Sequence, residues 1–113
     1  MLVLVGARNP ALGEAAAERL RGEGVDARYV QVDLTEPATI TAAAADIESQ
    51  EGRLDILVNN AGVSTPGDGS PGVASLEAVR RTFDTNFLGS LAVTQAMLPL
   101  LKQSASRLRD WPR

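Results

Sequence analysis

The amino-acid sequence predicts one α/β domain built around a parallel sheet. Three short segments are predicted strands: the apolar runs 2–5 and 54–58, and residues 27–32 between them. Segments with helical spacing of apolar residues separate these runs, and a longer helical segment follows the last of them. Strands that alternate with helices predict βαβ units with right-handed crossovers. At 113 residues, 44% of them hydrophobic, the chain is large enough for one core.

Capping residues predict where the three helices begin. Asn9 followed by Pro10 is typical of an N-cap and a first helical residue, and glycines at 22 and 24 end that helix. Thr35 is predicted to cap the second helix and Ser75 the third. Each predicted helix therefore has a start signal of its own.

The spacing of apolar residues predicts which helix faces are buried. The sets are Leu12, Ala16 and Leu20 in the first helix, and Ile40, Ala43, Ala44 and Ile47 in the second. The third helix is expected to run from residue 75 to about residue 102, with a bend at Pro99. We expect the first two helices to cover one face of the sheet and the long helix the other. A loop over residues 63–74, rich in Ser, Thr, Pro and Gly, precedes the long helix.

Composition and charge exclude several classes of function. A net charge of −3 and a pI near 4.8 give no electrostatic reason to bind nucleic acid or an anionic membrane. Without Cys or His, the chain lacks thiolate ligands, thiol nucleophiles and imidazole bases, so no metal site is expected. No apolar run is long enough for a membrane helix, and residues 1–5 lack the features of a signal peptide. We therefore expect a cytoplasmic protein.

The tetrapeptide Asn59-Asn60-Ala61-Gly62, directly after the apolar run 54–58, is the most informative motif. A simple turn would explain it, since Asn and Gly both favour positive φ. However, two amides at the end of a buried strand are costly unless each finds a hydrogen-bond partner. Ligands of open α/β sheets bind beyond the carboxyl ends of the strands. The motif therefore indicates a ligand site at that edge.

Asn86 is a second candidate, within the sequence Thr82-Phe83-Asp84-Thr85-Asn86-Phe87-Leu88-Gly89. At helical spacing it shares an otherwise mostly apolar face with Val79, Phe83 and Val93. An amide on such a face needs a buried hydrogen-bond partner, which a purely structural asparagine would also have. Gly89, about one turn later, would allow a neighbouring backbone to approach closely.

These motifs resemble the short-chain dehydrogenase/reductase family, and its carbonyl-reductase-like branch most closely, over nearly all of residues 2–106. The resemblance implies a doubly wound Rossmann fold that binds a nicotinamide dinucleotide. It implies that Asp33 accepts a hydrogen bond from the adenine amino group, and that the backbone at Leu34 touches the ring. Asn60, Ala61 and Gly62 would line the cofactor site. Asn86 would be the asparagine of the family's catalytic tetrad, which holds a water and the proton-relay geometry.

Arg8 lies just past the first apolar run, where the usual dinucleotide fold has an acid near the ribose 2′-hydroxyl. An arginine there suits a 2′-phosphate, so the cofactor implied is NADP rather than NAD. A solvated arginine at a turn is the alternative. Gly6 and Gly13 do not form the family's phosphate loop, which needs three glycines in a tight cluster.

Aligned on the tetrapeptide, the chain is expected to begin at the family's second strand and to lack its first strand and Gly-rich loop. The fold expected is therefore a partial Rossmann fold of three parallel strands and three helices over residues 1–106, followed by an irregular tail, 107–113. A shifted reading frame or a mis-called gene end is the alternative explanation of that tail. Without the first strand, the two strands that flank it would close up on each other or leave an open edge. The family's catalytic Tyr and Lys cannot be assigned to Tyr29 or Lys102, which lie far apart in sequence.

Two hypotheses about function follow. The first is a fragment of an NADP(H)-dependent oxidoreductase acting on a small carbonyl or alcohol, inactive as an isolated chain because the Gly-rich loop and the catalytic Ser, Tyr and Lys are missing. The second is a non-catalytic interaction module that associates with itself or with a full-length relative through the long helix 75–102. A receiver-like flavodoxin fold is disfavoured because the sequence Val5-Gly6-Ala7 supplies no acids.

Overall fold

The computed structural model describes residues 1–61, 70 and 72–109, with the side chains of 108 and 109 excepted. In this part of the chain two parallel strands are covered by helices. The elements are β1 (Leu2–Ala7), α1 (Pro10–Gly22), β2 (Asp26–Gln31), α2 (Pro37–Gln50), α3 (Leu76–Phe83), a π-helical segment (Asp84–Gly89) and α4 (Ser90–Arg109). The α/β class and the parallel sheet are confirmed.

Strands β1 and β2 pair in parallel, with Leu2 opposite Asp26 and Ala7 opposite Gln31. One further hydrogen bond, 3.1 Å from the Val32 amide to the Ala7 carbonyl, extends the ladder beyond β2. Both strands therefore end at the same edge of the sheet. The residues that follow them, from Arg8 and from Asp33, are brought to one side of the molecule.

The predicted third strand is corrected by the structure, since residues 54–58 are not in the sheet, which has two strands in the described part of the chain. Instead, the Leu54 amide donates to the Leu100 carbonyl at 3.1 Å. Leu54 and Leu57 pack against the core, whereas Ile56 and Val58 are 66% and 76% exposed. Within the described residues the segment has no neighbouring strand to pair with. Of the two arrangements expected, the structure has the open edge.

The helices cover the sheet in a different distribution from the one expected. Helix α2 packs on α4, not beside α1, and their apolar residues form one cluster with Val30 of β2. This core consists of Val30, Ile40, Ala43, Ile47, Val93, Met97 and Leu100. A right-handed crossover explains the distribution, because α1 and α2 lead the chain in opposite directions across the sheet and so lie on opposite faces.

Helix α1 contacts the sheet through its smallest residues. Gly13 and Ala17 are buried, while Leu12 is 71% exposed, so the predicted stripe of Leu12, Ala16 and Leu20 is wrong. The Tyr29 ring lies against Gly13, where an added Cβ would be 2.2 Å from the ring. Small residues let the helix approach the sheet closely, and a pattern based on large side chains misses this. Tyr29 belongs to β2, as expected.

Two of the three predicted caps are confirmed. The side chain of Asn9 accepts from the Leu12 amide at 3.1 Å, and that of Ser75 accepts from the Ala78 amide at 3.1 Å. The Thr35 cap is wrong, because α2 begins at Pro37 and its N-cap is Glu36. Proline is favoured at the first helical position and holds the preceding residue in an extended conformation, which fixes the helix start one residue later than predicted.

The predicted long helix is longer than expected and is interrupted once. It runs from Leu76 through the π-helical segment to Arg109, so residues 107–109 of the expected irregular tail are helical. The backbone remains helical across Pro99, and the expected bend there stays a prediction. Residues 110–113 and most of the 63–74 loop lie outside the described residues. Among the described helices, none is long and apolar enough to cross a membrane.

An ion-pair network ties β2 to the C-terminal end of α2. The Arg28 guanidinium contacts both carboxylate oxygens of Glu51, at 3.1 and 2.7 Å, and Asp46 at 2.7 Å. The Arg28 side chain is 24% exposed, and those of Asp46 and Glu51 are 36% and 21% exposed. The hydrogen bond from Arg28 is the main reason that the pKa of Asp46 is lowered.

We predict that Arg28→Gln lowers the free energy of unfolding by about 1–2 kcal/mol, because charged hydrogen bonds are lost from partly screened positions. A carboxyl with a lowered folded-state pKa stabilises the fold above its unfolded-state value of about 4 and loses that contribution as the pH falls. Urea unfolding between about pH 6 and pH 3 should therefore show a shallower decline for Arg28→Gln than for the unmodified chain. The control is Arg19→Gln, at an exposed arginine of α1. An equal decline for both variants would contradict the prediction.

Candidate functional site

The carboxyl ends of β1 and β2 bring Arg8 and Asp33 together. Arg8 is exposed just after β1, and Asp33 is half-buried two residues after β2. The Thr35 hydroxyl and the Thr35 amide donate to Oδ1 of Asp33 at 2.6 and 2.9 Å. These hydrogen bonds, and to a lesser extent the charge of Arg8, lower the pKa of Asp33, so the carboxylate is ionised at neutral pH. The edge thus carries a cation beside a fixed anion.

Hydrogen bonds hold both the backbone amide and the carboxylate of Asp33, and together they set its orientation. Its amide donates to the Thr39 hydroxyl at 2.9 Å, and that hydroxyl is 2.7 Å from the Glu36 carbonyl. Because both Thr35 donors use Oδ1, the other oxygen, Oδ2, can accept a hydrogen bond from a ligand. Sequence reasoning missed Thr35 and Thr39 in these roles, since the backbone and hydroxyl partners of an Asp side chain depend on how the loop after the strand folds.

Leu34 follows Asp33 and packs against the core. It also contacts Gly89, the last residue of the π-helical segment, where an added Cβ would be 2.9 Å from the Leu34 Cβ. The expectation that Gly89 permits a close approach of a neighbouring chain segment is therefore confirmed. This contact joins the loop after β2 to the helix that carries Asn86.

The tetrapeptide motif is anchored to α4 through its first residue. The Asn59 side-chain amide donates to the Thr94 hydroxyl at 3.1 Å, and that hydroxyl donates to the Ser90 carbonyl at 3.0 Å. Asn60 and Ala61 follow and are exposed, while Gly62 lies outside the described residues. The sequence predicted a hydrogen-bond partner for this amide without naming it. The partner is Thr94, one turn into α4.

Asn86 lies in the π-helical segment, half-buried. It lines a shallow depression of about 400 Å³ together with Val79, Thr82, Phe83 and Phe87. The two phenylalanine rings are stacked, with centroids 4.9 Å apart. π-Helical turns inside α-helices occur frequently at functional sites, and apolar periodicity does not reveal them. Within the described residues, no group of three or more acidic side chains could hold a metal ion.

The sequence model of the short chain dehydrogenase family matches residues 1–108, nearly the whole chain. The chain belongs to the short-chain dehydrogenase family. The resemblance inferred from the tetrapeptide is thereby confirmed.

Curated relatives agree with the carbonyl-reductase-like branch. The short-chain dehydrogenase anuI of Penicillium roqueforti is 37% identical over 103 residues, which cover 90% of this chain and 40% of that protein. Carbonyl reductase (NADPH) 1 of Mus musculus is 36% identical over 101 residues, which cover 88% of this chain and 35% of that protein. This dehydrogenase chain therefore spans well under half the length of the curated relatives it matches.

Solved structures give the same fold for this dehydrogenase chain. An NADPH-bound carbonyl reductase from chicken fatty liver superposes with a TM-score of 0.79 at 28% identity, covering 93% of this chain and 42% of that one. The RhlG/NADP active-site complex of Pseudomonas aeruginosa superposes with a TM-score of 0.78 at 30% identity, covering 90% and 39%. The partial Rossmann architecture is thus supported by both sequence and structure.

Proposed function

We propose that this chain forms the adenosine-binding part of an NADP(H)-dependent oxidoreductase that acts on a small carbonyl or alcohol substrate. The observation that carries the proposal is the juxtaposition of Arg8 and Asp33 at neighbouring strand ends. A cation next to an oriented carboxylate suits a 2′-phosphate next to an adenine ring. The named activities of the similar carbonyl reductases are consistent with this cofactor.

Each residue has a defined task in the proposed site. Arg8 donates to the 2′-phosphate, where its guanidinium can form two parallel hydrogen bonds. Oδ2 of Asp33 accepts from the adenine amino group, and the Leu34 backbone contacts the ring. Asn60 and Ala61, with Gly62 beyond the described residues, line the path of the cofactor. When bound, the cofactor supplies the hydride chemistry, and the protein contributes orientation and electrostatics.

Asn86 is proposed as the residue that holds a water for proton transfer. Its amide has both a donor and an acceptor, so it can orient a water between two polar groups. The π-helical segment supports this role, since such irregular turns occur frequently at functional sites. The depression beside Asn86 offers space for the substrate side of the reaction.

We also propose that the 113-residue chain has no turnover by itself. Its single tyrosine, Tyr29, donates to the Ala7 carbonyl at 2.9 Å from within β2, and burial raises the pKa of its phenol further. Lys102 lies on α4 and has no tyrosine four residues away. A general acid/base paired with a lysine is therefore missing from these residues.

Titration of the purified chain into NADPH, followed by cofactor fluorescence, tests this proposal. We expect weak binding, because no cluster of three glycines lies between β1 and α1 to bind the pyrophosphate, and no carbonyl-dependent oxidation. Micromolar affinity would contradict the expectation of weak binding, and measurable oxidation with a panel of small ketones and aldehydes would contradict the inactive-chain proposal.

We predict that Arg8→Gln lowers the preference of the chain for adenosine 2′,5′-bisphosphate over 5′-AMP by about tenfold, because a charged hydrogen bond to phosphate is lost. Affinities are measured by NMR titration. Arg19→Gln removes an exposed arginine of α1 and provides the control for net charge. An unchanged preference in Arg8→Gln would remove Arg8 from the site.

The exposed phenylalanine pair favours a second candidate function, association through the long helix. Phe83 and Phe87 are 54% and 56% exposed, and Leu76 on the same helix face is 82% exposed. Size-exclusion chromatography of the chain with and without a full-length relative tests this candidate. A mixed peak that is lost in Phe87→Ser but kept in Ile56→Ser would support it, and two separate monomer peaks would argue against it.

A further inference from the structure

The contact between Gly89 and Leu34 is tight enough to exclude any larger residue at position 89. Gly89 is buried, and an ideal Cβ there would lie 2.9 Å from the Leu34 Cβ, 3.4 Å from its carbonyl oxygen and 3.5 Å from its Cδ1. The nearest of these atoms belong to the backbone and to the base of the side chain, so rotation of Leu34 cannot relieve the contact. Any residue with a Cβ would have to push the Leu34 peptide away from α4.

The Leu34 peptide has little freedom to absorb such a push. Immediately before it, the Asp33 amide is held by the Thr39 hydroxyl at 2.9 Å. Immediately after it, the Thr35 amide is held by the Asp33 carboxylate at 2.9 Å. A displacement at Leu34 would therefore rotate the Asp33 carboxylate, whose Oδ1 is the acceptor of both Thr35 hydrogen bonds.

We propose that Gly89 is a positioning residue for adenine recognition, acting through Leu34. This inference rests on the proposed NADP(H) site and deepens it. The missing side chain lets the Asp33–Thr35 loop settle against the end of the π-helical segment. That arrangement aims Oδ2 of Asp33 at the amino group of the base and presents the Leu34 backbone to the ring. Since Asn86 lies in the same segment, one glycine couples the adenosine end of the site to the helix of the proposed catalytic amide.

The test is Gly89→Ala, with Gly22→Ala as the matched control, because a Cβ at Gly22 would meet nothing within 4 Å. Three probes are titrated by NMR: adenosine 2′,5′-bisphosphate, guanosine 2′,5′-bisphosphate and 5′-AMP. Guanine has a carbonyl where adenine has its amino group, so at that position of the ring it offers Asp33 an acceptor instead of a donor. In Gly89→Ala we expect the preference for adenine over guanine to fall about fivefold, the effect of losing one hydrogen bond. The preference for the 2′-phosphate should change less, because Arg8 follows β1 and is not part of this loop.

If Gly89 had a purely structural role, its replacement would change stability or overall affinity and not the preference for adenine. It would lower the thermal midpoint or weaken all three probes equally, and either result without a selective loss of adenine preference overturns the inference. If Gly89→Ala does not fold, the double variant Gly89→Ala/Leu34→Gly removes the two closest side-chain atoms. Recovery of both folding and adenine preference in the double variant supports the inference, and recovery of folding alone overturns it. An unmodified chain without preference for adenine would overturn the proposed site as well, whereas preference retained in Gly89→Ala overturns only the role of Gly89.

Discussion

Gly13→Ala is expected to destabilise the chain by about 1–3 kcal/mol or more, the usual range for overpacking a core. The added methyl would lie 2.2 and 2.3 Å from two carbons of the Tyr29 ring and 3.2 Å from the Ala7 Cβ. The ring cannot slide aside without breaking the hydrogen bond from its hydroxyl to the Ala7 carbonyl, 2.9 Å long. Helix α1 would have to move away from the sheet. Urea unfolding measures the effect.

Gly22→Ala on the same helix is the control, since it has open space around the added methyl. There the replacement should stabilise the helix by about 0.5–1 kcal/mol, the usual difference between glycine and alanine. Tyr29→Val should recover part of the loss in Gly13→Ala, which a double-mutant cycle would reveal as coupling between the two positions. Equal unfolding midpoints for Gly13→Ala and Gly22→Ala would contradict the described packing of α1.

Ile47→Ala is expected to cost about 2–5 kcal/mol, because it empties a site in the core between α2 and α4. Ile47 is 4% exposed and belongs to the cluster that includes Met97 and Leu100. Domains of this size have small total stability, so the loss should leave a large unfolded fraction in buffer. Circular dichroism and the dispersion of amide NMR signals would both report it.

Ile56→Ala provides the comparison, since Ile56 is 66% exposed. A surface replacement of this kind should change stability by at most about 0.5 kcal/mol. Similar stability of the two variants would mean that α2 does not pack on α4, and the assignment of these helices to one face of the sheet would fail.

The sequence was sufficient for the parts of the fold that depend on local chemistry. Asn9 and Ser75 cap their helices because each side chain needs only a backbone amide a few residues away. The strands β1 and β2 followed from short apolar runs. The segment 54–58 has the same pattern, yet it is not in the sheet, because pairing depends on a neighbouring strand and not on the segment's own residues.

The candidate site was only partly predictable for a similar reason. Arg8 and Asp33 could be placed near each other because parallel strands end at the same edge of a sheet. The hydrogen bonds from Thr35 and Thr39, and the anchoring of Asn59 by Thr94, depend on how loops and helices meet in space. The π-helical segment around Asn86 likewise has no signal in apolar spacing.

The central claim is that the ends of β1 and β2 bind the phosphorylated adenosine of NADP(H), and NMR mapping of adenosine 2′,5′-bisphosphate on the isotope-labelled chain tests it most directly. We predict saturable shifts of the amide signals of Arg8 and of residues 33–35, with smaller shifts when 5′-AMP replaces the bisphosphate. Shifts confined to other parts of the chain, or no saturable shift at all, would contradict the claim.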